Sequence, residues 1–160
     1  YLFNSSMLIL ALSYFLFYIS YLRIQLKFNR NKILNFFSLS TIIISLISFV
    51  LVALFSADNS TFDIHVFFVK VAFRLLLIHC LIQLFIVYKS KLSKRLLISS
   101  SLFSLMLFLF IIVMDYGPSP FRDNQSLFIQ VTSQKMIVIS ILLYFFIQVS
   151  ESISMLKKYS

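Results

Sequence analysis

Apolar residues along this chain gather into five runs divided by short polar stretches: Met7 to Leu22, Ile33 to Phe55, Val66 to Tyr88, Leu96 to Met114, and Met136 to about Met155. At a rise of about 1.5 Å per residue the third run extends about 34 Å, enough to cross a hydrocarbon core about 30 Å thick with slight tilt. The pattern predicts an all-α polytopic membrane protein, a bundle of five transmembrane helices. These fall at about 7–22, 33–55, 66–88, 96–114 and 136–155, in a single transmembrane domain covering 1–160. No repeat of fixed period appears, and no soluble domain fits between the spans.

Polar positions inside the runs refine this picture. In the second run Ser38, Thr41, Ser45 and Ser48 recur at steps of three, four and three. That spacing keeps them on one helical stripe, which is expected to face protein. The segment Asp115 to Lys135 is the one long connection and holds the only Gly and both Pro residues. Gly117, Pro118 and Pro120 predict a turn over 115–120. Leu127, Phe128, Ile129 and Val131 in its later half are expected to lie along the membrane surface or to cover another subunit.

Composition agrees with the class: 61% of residues are hydrophobic and only 12% charged, where a soluble surface ordinarily requires about a quarter. Twenty Phe against one Gly and no Trp resemble the product of an AT-rich genome. A single Cys excludes an internal disulfide or a cysteine metal cluster. The sequence opens on Tyr1 rather than Met, which leaves room for a preceding segment and any targeting information in it.

The net charge of +9 reads as a topology signal and gives no reason to invoke nucleic acid. Ten basic residues fall in the first loop, the third loop and the C-terminal tail, against Arg122 and Lys135 in the fourth loop and none in the second. The positive-inside rule then puts the N-terminus outside and the C-terminus on the cytoplasmic or matrix side. A bacterial or mitochondrial inner membrane is the expected location, with anionic lipids as possible contacts. Four of the five acids, Asp58, Asp63, Asp115 and Asp123, fall on the outer side.

Candidate chemistry concentrates in the third run, which carries Lys70, Arg74, His79, Cys80 and Gln83. Lys70 and Arg74 share a helix face one turn apart, whereas His79 and Gln83 share another, turned well away. Arg74 lies near mid-membrane and keeps its charge, so something must satisfy it. The candidates are Asp63, Asp115, a lipid phosphate, a bound anion or another subunit. With no carboxylate deep in any run, the expectation is a partner outside its own five-helix unit. His65 and His79, fourteen residues apart, are weak haem candidates, because this chain supplies no second histidine for either iron. His79 and Gln83 also fit as packing groups, and Cys80 as a small buried hydrophobe.

No nucleotide loop, metal triad or catalytic dyad is present, so no catalytic residue, metal or other cofactor is expected. The favoured reading is a non-catalytic subunit of a larger membrane protein complex, respiratory or transport related, with other membrane subunits as partners. The alternatives are a small oligomeric transporter or channel using the Lys70/Arg74 face, and a membrane sensor, enzyme or haem-binding subunit.

Overall fold

A computed structural model describes residues 2–28, 31–55, 60–91, 93–119 and 122–159. They form five helices: α1 (Leu2–Phe28), α2 (Lys32–Leu54), α3 (Phe62–Ser90), α4 (Lys94–Tyr116) and α5 (Asn124–Tyr159). Each contains a window long and apolar enough to cross a membrane. The connections are too short for anything but antiparallel neighbours. Every helix packs on its neighbours in the chain, most broadly α2 on α3, and α1 meets α5 over a smaller contact that closes the bundle.

Local chemistry explains where the helices begin and end. Asn31 accepts a hydrogen bond from Leu34 N at 3.1 Å, and Ser93 from Leu96 N at 3.3 Å, each capping the helix that follows. In a chain with one glycine, Lys91 takes the left-handed conformation that closes α3 (φ 51°). The turn expected over 115–120 starts later, because α4 continues through Asp115 and Tyr116 and the chain bends at Gly117. Gly117 donates to Val113 O at 2.9 Å, and a Cβ on Gly117 would meet that same carbonyl oxygen at 2.2 Å, so only glycine fits.

The long fourth connection is much shorter than the hydropathy pattern suggests. Helix α5 starts at Asn124 rather than near 136 and runs for 36 residues, about 54 Å. Asp123 caps it by accepting from Ser126 N at 2.7 Å. Its first turns are too polar for a membrane core but lose nothing by being helical beside it. Gln130, in that added stretch, binds the carbonyls of Val113 and Pro118, each at 3.2 Å, and ties α5 to the end of α4.

The core holds Tyr14, Tyr18 and Tyr21 of α1, Ile42 and Phe49 of α2, Phe73 and Cys80 of α3, Leu107 and Phe110 of α4, and Tyr144 of α5. Large apolar side chains on every helix point outward instead, Leu16, Phe36, Phe67, Leu102 and Phe146 among them. Polar groups inside and apolar groups outside suit a lipid surround. The hydroxyl stripe of α2 follows the same rule: Ser38, Ser45 and Ser48 are buried, and Ser45 donates to Ala72 O of α3 at 2.8 Å. Thr41 is half-buried and bonds back to carbonyls of its own helix.

Candidate functional site

Helix α3 separates its polar residues into an outer and an inner group. On the perimeter, Arg74 Nη2 lies 2.8 Å from Asp115 Oδ2, and Lys70 Nζ lies 3.7 Å from Asp115 Oδ1. Arg74 is therefore paired within its own five-helix unit, contrary to the expectation of an outside partner. The physical reason is reach. The Phe73 and Phe110 rings meet at 4.6 Å, which sets residue 73 level with residue 110, and Asp115 lies about 7.5 Å further along α4. A long arginine side chain covers that distance by extending toward the helix end. The pairing is incomplete in charge. One carboxylate faces two cations, and the side chains of Arg74 and Lys70 remain 54% and 38% exposed on the bundle surface.

His79 and Gln83 turn inward, where α1 and α2 meet them. The Gln83 Nε2 group lies 2.7 Å from Ser38 Oγ, 2.8 Å from Tyr18 Oη and 3.2 Å from Gln25 Oε1. Its two hydrogens thus serve three acceptors. Tyr18 and Ser38 hydroxyls are themselves 2.7 Å apart, and Gln25 donates to Asn35 Oδ1 at 2.9 Å. His79 Nδ1 sits 3.0 Å from the Ser38 carbonyl and 3.2 Å from its hydroxyl. A carbonyl can only accept, so the Nδ1 proton points at Ser38 and Nε2 carries the lone pair of the neutral ring. Tyr18 packs edge-on against this imidazole, with centroids 5.0 Å apart. Six side chains from three helices form one buried polar core.

Its α1 members were not among the residues the sequence singled out. Tyr14, Tyr18, Tyr21 and Gln25 recur at steps of four, three and four, and all are buried. That spacing is the same signal that marked the hydroxyl stripe of α2, here masked by the apolar bodies of the tyrosines. Tyr14 extends the connections to α5 by donating to Gln148 Oε1 at 3.0 Å, and Ser100 of α4 meets Tyr144 of α5, also at 3.0 Å. At the far end Glu151 accepts from Ser93 at 2.6 Å and pairs with Arg95 at 3.5 Å.

His65 stands apart from all of this, its Nδ1 2.7 Å from Phe55 O at the end of α2. About 21 Å of helix separates it from His79, and the Nδ1 of each ring lies within hydrogen-bond distance of a backbone carbonyl. Cys80 is fully buried in the apolar core. Among the described residues, no group of three His, Cys, Asp or Glu is placed to hold a metal ion. The cavity between α1, α2, α3 and α5 measures about 30 Å³ and is lined by apolar groups such as Leu10, Ile42, Phe49 and Val138. The interior can join helices and hold them in register. The perimeter triad can attract an anion. Comparison with protein-family models, with curated proteins and with solved structures finds no match for this chain.

Proposed function

We propose that this chain is a non-catalytic integral membrane subunit of a larger membrane protein assembly, respiratory or transport related. The observation that carries the reading is the perimeter triad, where Lys70 and Arg74 share one carboxylate and keep unspent positive charge on an exposed helix face. Uncompensated charge at membrane depth costs on the order of a few kcal/mol. A contact that neutralises it is therefore favourable. The inward residues add support, since Tyr18, Gln25, Asn35, Ser38, His79 and Gln83 are engaged with one another across helices. The proposed setting is a bacterial or mitochondrial inner membrane, the N-terminus outside, with other membrane subunits and anionic lipids as partners.

The test is copurification from native membranes, with identification of every associated chain and an absorption spectrum. A stable heteromeric complex without haem bands is the expected result. A homo-oligomer alone would favour a transporter built on the Lys70/Arg74 face, and haem bands would favour a haem-binding subunit using His65 and His79.

A further inference from the structure

We propose that the exposed seam of α3 through Phe67, Arg74, Leu81 and Tyr88 docks one transmembrane helix of a partner subunit, and that this helix presents a carboxylate to Lys70 and Arg74. The inference rests on the subunit reading above and deepens it, naming the surface and the chemistry of what binds there. The four seam residues recur at intervals of seven and all are exposed, while Lys70, Leu77 and Leu84, three places after the first three of them, are half-buried. Together they form the a and d positions of a heptad, the spacing that keeps one helix against another over many turns. The opposite face of α3, through Phe73, Leu76, His79, Cys80 and Gln83, is buried in the bundle.

An apolar seam alone would suit lipid equally well. Charge decides the occupant. The triad of Lys70, Arg74 and Asp115 lacks one negative charge, and a carboxylate on a neighbouring helix is itself unfavourable in lipid until it meets a cation, so the two needs are complementary. The seam runs from residue 67 to residue 88, about 32 Å, the length of one membrane-crossing helix. In the half away from Arg74, the same flank opens into a groove of about 480 Å³ lined by Leu81, Phe85, Tyr88, Leu97 and Ser101. Ser101 is small and exposed there, the residue type that lets helix backbones approach closely in membranes.

The experiment places a photo-crosslinking residue at Phe67, Leu81 or Tyr88 of the full chain in its native membrane, with Phe146 on α5 as the control position. The expected result is adducts from all three seam positions to one helix of one partner chain, a helix containing Asp or Glu, and little from Phe146. Arg74→Glu should lower the adduct yield at Leu81 by about tenfold or more, given the usual cost of breaking a desolvated charge pair. Arg74→Lys should retain most of it, and changing the partner's carboxylate to arginine should restore the yield of the Arg74→Glu chain. Protection of the buried Cys80 thiol from maleimide shows that each variant is folded. Adducts to lipid only, adducts to a second copy of this chain, or a yield indifferent to Arg74→Glu in folded protein would each overturn the proposal. Copurifying partners that crosslink only from Phe146 would remove the seam while leaving the subunit reading intact. If no other chain copurifies, the subunit reading itself fails.

Discussion

Ser38 concentrates more connections than any other hydroxyl described: Tyr18, Gln83 and His79 lie around its Oγ at 2.7, 2.7 and 3.2 Å. Removing it leaves Gln83 in contact with Tyr18 and His79 in contact with the Ser38 carbonyl, and takes from the Tyr18 hydroxyl proton the one acceptor described for it. Ser38→Ala should therefore destabilise the bundle by only about 0.6 to 1.7 kcal/mol, the range of interhelical hydrogen bonds in membranes. Ser38→Val, which also forces two methyl groups into a fully buried contact, should cost more, about 1 to 3 kcal/mol. Equilibrium unfolding in mixed micelles measures both, and equal costs for the two variants would contradict the packing argument.

At the scale of the element, α5 depends on one side chain for its start. Hydrogen bonds from Ser126, the backbone one first, hold the Asp123 carboxylate below its ordinary range. A carboxylate whose folded-state pKa is depressed adds stability that is fully present above the unfolded value, about 3.9, and is lost as pH falls through the folded value. Protection of the first-turn amides of α5, exchange measured against the intrinsic rate at each pH, should accordingly fall only below about pH 4. In Asp123→Asn, which caps without titrating, that acid-dependent loss should disappear. The Arg122 contact, 3.9 Å away with both side chains exposed, adds little to this. The same element shows why a hydropathy pattern misjudged its length. Residues 124–135 are too polar for a lipid core, yet their backbone groups pair along the helix and Gln130 anchors them to α4.

For the whole molecule, an antiparallel ring of five helices puts the two termini at opposite ends, and the proposed orientation follows from where the basic residues collect. Single cysteines at Ser60 and Lys91, introduced into a Cys80→Ala chain, should be modified by membrane-impermeant thiol reagents from opposite sides, Ser60 from outside. Labelling of both from one side would remove an odd number of crossings between them and with it the five-span reading. Ser60 and Lys91 are exposed, so lack of access would not explain a negative result. The acidic residue Asp58 lies outside the described residues and does not enter this test.

What the sequence determined by itself was confined to patterns among neighbours along the chain, and even there the early start of α5 and the α1 stripe escaped it. Membrane-length runs, the hydroxyl stripe, the Gly117 turn and the basic loops are local patterns, and helix hydrogen bonds close within one turn. The split on α3 between Lys70/Arg74 and His79/Gln83 was legible for the same reason, because helical period alone separates those faces. The tertiary structure decided which faces meet. Arg74 and Asp115 are 41 residues apart, Gln83 and Tyr18 are 65 apart, and Tyr14 and Gln148 are 134 apart. Whether such groups touch depends on the rotation and axial shift of one helix against another, which the packing of many side chains sets together. A shift of one turn, about 5.4 Å, would carry Asp115 out of the 2.8 Å contact with Arg74 and leave every run in the sequence unchanged.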